Sequence, residues 1–202
     1  MTRIKLCGLR READIDAANE CMADYVGFVF AEKSKRAVTR ERAVQLRKRL
    51  VPGILAVGVF VNAPPELVAE LLNSGDIDLA QLHGHEDEDY IMCLKRLTDK
   101  QIIQAFRIEN RCDAIRAAAS IADYVLLDAG AGAGKTFEWE LAWEVRRPFF
   151  LAGGLTPENA ALAVERLHPY ALDVSTGIET DGWKDPVKMR AFVREARRRT
   201  RG

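Results

Sequence analysis

The amino-acid sequence predicts an α/β fold of one kind: a single (β/α)8 barrel, a closed parallel sheet of eight strands ringed by outer helices. Two observations carry this. Short β-branched or apolar runs alternate along the chain with longer stretches of helical period, the pattern of repeated βα units around a parallel sheet. The alternation yields eight runs of each kind within 202 residues. At roughly 25 residues per unit, that is too many for most open doubly wound sheets of this length, but enough to close a barrel. An open doubly wound sheet ranks second. Residues 1–202 are expected to form one domain.

Strands are expected at 3–7, 25–30, 55–61, 79–82, 102–107, 124–128, 149–152 and 171–174, most of them reading as fully buried segments. Between them, 12–22, 40–50, 66–73, 87–97, 112–122, 138–146, 157–167 and 186–199 carry apolar residues at three- and four-residue steps and read as the outer helices. Several helix starts are marked chemically. Pro64-Pro65-Glu66 and Thr156-Pro157-Glu158 put proline and acid in a first turn, and Asp185-Pro186 does likewise. The basic tail after Met189 reads as a solvated last turn followed by a frayed end.

Lysine plus arginine number 30 and aspartate plus glutamate number 30. No long-range field therefore favours nucleic acid or an anionic membrane, and any charge used for function must be local. Cys7, Cys21, Cys93 and Cys112 lie far apart, with no CxxC pair and no histidine at zinc-site spacing, so no metal site is expected and a reducing cytoplasm fits best. The chain turns charged soon after Leu6 and nowhere runs eighteen apolar residues together, so neither secretion nor membrane spanning is expected.

In a barrel of this type the active site lies at the carboxyl ends of the strands. The residues there are reactive or polar: Cys7 ends strand 1, His83 follows strand 4, Arg107 ends strand 5, Asp128 ends strand 6 and Asp173 lies near the end of strand 8. These five are expected to share one mouth, where charges meet water or substrate and escape the cost of full burial. Two glycine-rich turns follow the last strands, Ala152-Gly153-Gly154-Leu155 and Val174-Ser175-Thr176-Gly177. Lacking side chains, such turns let backbone N–H groups approach an anion, and the turns after strands 7 and 8 are the usual phosphate site of barrels. Gly153, Gly154, Ser175, Thr176 and Gly177 are therefore the expected phosphate ligands. A third stretch, Gly130-Ala131-Gly132-Ala133-Gly134-Lys135-Thr136, invites comparison with a nucleotide-binding P-loop, but Ala129 stands where that motif needs its first glycine. It reads instead as a loop over the mouth that closes on substrate, with Lys135 as a positive rim.

A lone cysteine is usually a small buried hydrophobe, the reading that suits Cys21, Cys93 and Cys112 on helices. Cys7 differs by its place at a strand's carboxyl end. Near cations or helix dipoles its thiol could lose a proton close to neutral pH and act as a base. Asp128 reads either as a cap or salt-bridge carboxylate, or as an acid that keeps its proton against an apolar ligand.

The chain resembles the phosphoribosylanthranilate isomerase family. The resemblance spans nearly the whole length and is carried by Lys5-Leu6-Cys7-Gly8-Leu9, Gly27-Phe28-Val29-Phe30 with Ser34-Lys35-Arg36, Val57-Gly58-Val59-Phe60-Val61-Asn62, Gln81-Leu82-His83-Gly84, Leu126-Leu127-Asp128, Gly134-Lys135-Thr136-Phe137-Glu138-Trp139, Leu151-Ala152-Gly153-Gly154-Leu155, and Asp173-Val174-Ser175-Thr176-Gly177-Ile178-Glu179. It implies an Amadori rearrangement in tryptophan biosynthesis that turns N-(5-phosphoribosyl)anthranilate into 1-(2-carboxyphenylamino)-1-deoxyribulose 5-phosphate, with no metal and no redox cofactor. By the same resemblance Asp128 is the acid that opens the ribose ring, and Cys7 is the base that takes the C2 proton. Arg36 is the guanidinium for the anthranilate carboxylate, the glycine turns hold phosphate, and His83 and Asp173 orient substrate or support the pair. The implied partner is a small phosphoribosyl substrate, not nucleic acid or membrane, and the implied assembly is a monomer or homodimer. His85 and His168 match no motif and read as surface or helix-end residues. Two departures stand out: Ser34-Lys35-Arg36 replaces the family's usual Ser-Pro-Arg, and the glycine loop begins Gly-Ala-Gly-Ala. Other readings are another phosphate-binding barrel, such as a ribulose-phosphate epimerase or indole-glycerol-phosphate synthase, or a non-catalytic phosphosugar-binding barrel.

Overall fold

A computed structural model describes residues 1–128 and 139–198. Eight strands close a parallel barrel in sequence order: β1 (Arg3–Cys7), β2 (Tyr25–Val29), β3 (Leu55–Phe60), β4 (Leu79–Leu82), β5 (Ile102–Arg107), β6 (Tyr124–Asp128), β7 (Phe149–Ala152) and β8 (Ala171–Val174). The ring closes where β8 pairs with β1, Arg3 opposite Ala171 and Lys5 opposite Asp173. Around it run α1 (Glu12–Glu20), α2 (Arg40–Arg47), α3 (Pro65–Asn73), α4 (Glu88–Leu97), α5 (Arg111–Ala119), a 3-10 helix (Trp139–Glu144), α6 (Pro157–Leu167) and α7 (Pro186–Ala196).

The pleat sorts each strand into two faces. On β1, Ile4 and Leu6 pack outward into the large core shared with the helices, beside Leu9, Ile15 and Phe192. Lys5 and Cys7, on the other parity, turn into the barrel. Lower down, the interior is filled by Tyr25, Val57, Leu79, Ile103, Leu126 and Phe150. The hydroxyl of Tyr170 lies 3.0 Å from that of Tyr25 and 3.2 Å from that of Tyr124, giving the barrel an aromatic floor. The strand-end residues Cys7, His83 and Asp128 lie at the opposite, carboxyl end.

Helix starts follow the local chemistry. Asp185 accepts from the backbone N–H groups of Val187 and Lys188, and Asn110 caps α5 in the same way. The expected helix at 138–146 needs correcting: its described part is a 3-10 helix of six residues, with Val145 N–H donating to the carbonyl of Ala142. Pro148 limits it on the carboxyl side, because a proline disfavours helical backbone in the residue before it. The expected helices at 12–22 and 40–50 stop early, at Glu20 and Arg47, and Met22 adopts a φ of 52°. An additional hairpin after β8, β9 (Glu179–Thr180) with β10 (Trp183–Lys184), was not expected. The glycine loop at 130–134, Lys135 and the last residues of the basic tail lie outside the described residues.

Candidate active site

Cys7 ends β1 with its side chain inside the barrel mouth. Its register partner on β2 is Gly27, where an added Cβ would stand 2.7 Å from the Cys7 sulfur, so the glycine makes room for the thiol. Beneath Cys7 on the same face, Lys5 is fully buried and pairs with Asp173 at 2.9 Å. Burial pushes the Cys7 thiol above its ordinary value; the Lys5 cation opposes this, Asp173 adds to it and Lys184 opposes it. The expectation of a thiol ionising near neutral pH is therefore corrected. Desolvation outweighs the two nearby ammonium groups. For Lys5 the balance runs the other way. Burial disfavours its charge, but Asp173 and then Cys7 hold its pKa above the usual lysine value.

Asp128 ends β6, which lies three strands from β1 around the ring, and its Oδ2 is 3.2 Å from Nε2 of His83. The other ring nitrogen of His83 receives the Gln81 side-chain amide at 3.0 Å. With Nδ1 accepting, the ring proton sits on Nε2 and points at the carboxylate. Two buried oxygens in this shell, Oδ1 of Asp173 and Oε1 of Gln81, have no hydrogen-bond partner among the described residues. Both residues line the cavity, so a substrate hydroxyl or water can satisfy them.

Arg36 reaches the mouth across Gly8, whose φ of 79° and lack of a side chain let the arginine stem pass; an added Cβ would lie 2.5 Å from the Arg36 Cδ. Its Nε and Nη2 donate to the two carboxylate oxygens of Glu179 at 2.6 and 2.7 Å, and Nη2 also reaches Thr176 Oγ1 at 3.2 Å. Glu179 is opposed by burial, yet hydrogen bonds from Arg36 and Lys184 hold its carboxyl down at about 2.

The turns after β7 and β8 lie side by side. Gly153 and Gly154 take φ values of 86° and 64°, conformations that suit glycine, and lead into α6. Gly177 packs so closely under the Leu155 carbonyl that a side chain there would overlap it. One cavity of about 500 Å³ brings together Cys7, Arg36, His83, Asp128, Asp173, Gly153, Gly154, Ser175, Thr176 and Gly177. That volume suits a small-molecule site. Arg107, expected in the same mouth, is not there. It is exposed, pairs with Glu109 at 2.7 Å and lines a separate groove of about 630 Å³ beside the loops after β4 and β5. His168 ends α6 in a left-handed conformation, as a helix-end residue.

Sequence reasoning missed three site residues, Lys5, Glu179 and Lys184. Asp181-Gly182 is a strong two-residue hairpin signal and would have placed Glu179 and Lys184 opposite each other on β9 and β10.

The family model of N-(5'-phosphoribosyl)anthranilate (PRA) isomerase matches residues 4–195. The chain belongs to the N-(5'-phosphoribosyl)anthranilate isomerase family. It is 45% identical over 194 residues to the isomerase of Endomicrobium trichonymphae, covering 94% of this chain and 95% of that one. The crystal structure of phosphoribosyl anthranilate isomerase from Thermotoga maritima superposes with a TM-score of 0.90 at 36% identity, covering 97% of this chain and 98% of that one. A second structure, an isomerase in complex with reduced 1-(o-carboxyphenylamino)-1-deoxyribulose 5-phosphate, gives a TM-score of 0.87 at 35% identity and the same coverage. The protein is thus an isomerase of tryptophan biosynthesis that rearranges N-(5-phosphoribosyl)anthranilate to 1-(2-carboxyphenylamino)-1-deoxyribulose 5-phosphate. Among the described residues of this isomerase, no cluster of histidine, cysteine and carboxylate side chains could hold a metal ion, and no helix is long and apolar enough to cross a membrane.

Proposed function

We propose that the isomerase works by general acid–base catalysis, with Asp128 as acid and Cys7 as base on opposite sides of one sugar. Asp128 gives a proton to the ribose ring oxygen, the C1–O bond breaks, and the nitrogen lone pair forms a protonated imine. His83, donating from Nε2, then steadies the carboxylate that results. Cys7 takes the C2 proton, and the electron pair moves into the C1–C2 bond to give an enolamine. Return of a proton to C1 and loss of the enol proton give the ketone product. This is internal proton transfer with no net redox change, so the chemistry requires no redox cofactor, and both its acid and its base are side chains of this protein. Lys5 and Lys184 stabilise the thiolate when it forms.

Arg36 takes the anthranilate carboxylate through Nη1, since Glu179 already occupies Nε and one side of Nη2. Backbone N–H groups of Gly153, Gly154, Ser175, Thr176 and Gly177 take the phosphate, aided by the N-terminus of α6. Asp173, through its unpartnered Oδ1, accepts from a ribose hydroxyl. The observation that carries this reading is the single cavity joining thiol, carboxylate, guanidinium and both phosphate-suited turns. The four cysteines are free, which suits a reducing cytoplasm. The isomerase assembles as a monomer or a homodimer, and sedimentation velocity would distinguish the two.

The test follows the fluorescence of freshly generated phosphoribosylanthranilate with folded wild type, Cys7→Ser and Asp128→Asn. The expected result is a loss of about 10²- to 10⁴-fold in kcat for each variant. Variants that turn over within a few-fold of wild type would remove the assignment.

A further inference from the structure

The hairpin of residues 179–184 is not needed to close the barrel, yet it places two buried charges at the mouth. The side chains of Lys184 and Glu179 are 2% and 8% exposed. The Lys184 ammonium commits its three N–H groups to the Ser175 carbonyl at 2.9 Å, Ser175 Oγ at 3.2 Å and Glu179 Oε1 at 2.7 Å. Ser175 Oγ in turn donates to the Cys7 carbonyl at 3.2 Å. On its other side Glu179 takes two hydrogen bonds from Arg36. Donors and acceptors therefore alternate without a gap from the Arg36 guanidinium to the backbone of Cys7.

The same hairpin also holds the backbone that carries Arg36. Arg10 donates to the carbonyl of Lys35 at 2.6 Å and to the carbonyl of Gly182 at 2.8 Å, and its guanidinium lies 4.0 Å from the ring centroid of Trp183. Burying a lysine and a glutamate at an accessible rim costs desolvation that a solvated hairpin would avoid, and such pairs seldom add net stability. What this pair supplies is geometry. A planar two-pronged contact with Glu179 fixes the plane and rotation of the guanidinium and uses up one of its edges.

We propose that Glu179, backed by Lys184, is a positioning and specificity residue: it presents Arg36 to the substrate in one orientation, and so makes the isomerase selective for aryl amines bearing a carboxylate beside the nitrogen. This rests on Arg36 being the carboxylate ligand. Neither Glu179 nor Lys184 touches the reacting atoms; both act through Arg36, and Lys184 acts also through Ser175 and through its charge near the Cys7 thiol.

The experiment compares kcat and KM for phosphoribosylanthranilate and for its carboxylate-free analogue, the phosphoribosyl amine of aniline. Proteins are wild type, Glu179→Gln, Lys184→Met, Arg36→Met and the double variant Arg36→Met/Glu179→Gln, each checked for fold by circular dichroism. Glu179→Gln is expected to raise KM for the carboxylated substrate about tenfold, with kcat nearly constant and the aniline substrate unaffected. In the Arg36→Met background it should add nothing. Lys184→Met, if folded, should show the same loss together with a lower kcat, because it also releases Ser175 from the Cys7 carbonyl and removes a cation that favours the Cys7 thiolate. Glu179→Gln remains the deciding variant should Lys184→Met not fold. Equal losses on both substrates, or a full additive loss in the double variant, would overturn the proposal. If Arg36→Met erases the preference for the carboxylated substrate while Glu179→Gln leaves it intact, only the role of Glu179 falls. If Arg36→Met itself leaves the preference intact, the carboxylate role of Arg36 falls with it.

Discussion

Lys5 on β1 and Asp173 on β8 face each other in the strand register and close a 2.9 Å ion pair at the base of the active site, where Lys5 is sealed from solvent. The seam that closes the barrel is thus also where the catalytic end begins. Such a pair is expensive to break, because the remaining charge stays buried without its partner. Lys5→Met is expected to cost about 3–5 kcal/mol in urea unfolding. Lys5→Met/Asp173→Leu should recover a good part of that loss. A single variant as stable as wild type would show that the pair is not bearing charge inside the barrel.

Two glycines clear space for two different functional side chains, and their variants should fail differently. At Gly8, a Cβ would meet Arg36 Cδ at 2.5 Å on a backbone with φ of 79°. Gly8→Ala is expected to raise KM about tenfold through a displaced Arg36, and to cost about 1–2 kcal/mol of stability. At Gly27, a Cβ would meet the Cys7 sulfur at 2.7 Å. Gly27→Ala should lower kcat by at least about tenfold while leaving KM close to wild type. Steady-state kinetics on both variants checks the split, and matching effects would contradict it.

Burial lifts the Cys7 thiol, while the cations of Lys5 and Lys184 work against that rise. The ultraviolet thiolate signal, taken as wild type minus Cys7→Ser, should therefore emerge only above the ordinary cysteine range of about 8.5. Lys184→Met should move it higher still. A thiolate already formed at neutral pH in the free enzyme would contradict this balance.

Glu179 is opposed by burial but held at about 2 by Arg36 and Lys184. A carboxyl depressed in the folded state contributes stability that is present above its unfolded value, about 4.3, and is lost as pH falls through the folded value. Relative to Glu179→Gln, the wild type should be more stable by on the order of 2 kcal/mol at neutral pH. The gap should narrow between about pH 4.5 and pH 2. Urea unfolding at several pH values measures it, and a gap that widens on acidification would be the wrong sign.

Much of this was legible from the chain. The βα alternation located every barrel strand to within a residue at its ends, because buried strands of this class are short apolar runs between unmistakable turns. Strand-end position alone drew attention to Cys7, Asp128 and Asp173. Less legible was whatever depended on three-dimensional partners. Arg107 has the same strand-end credentials as Asp128 but turns outward to Glu109. Lys5 reads as an interruption in an apolar strand until its register partner is known to be Asp173. The upward displacement of the Cys7 thiol depends on how far burial outruns two lysines, one of them 177 positions away in sequence, and no local pattern encodes that balance.

The division of labour between Cys7 and Asp128 is tested most directly by the kinetic isotope effect of substrate deuterated at C2, measured on wild type and on the residual activities of Cys7→Ser and Asp128→Asn. If Cys7 removes the C2 proton and Asp128 opens the ring, Cys7→Ser makes C–H cleavage limiting and shows a full primary effect. Asp128→Asn makes ring opening limiting, and its effect falls toward unity. The reverse assignment of effects, or an equal effect in both variants, would contradict the acid and base roles given to these two residues.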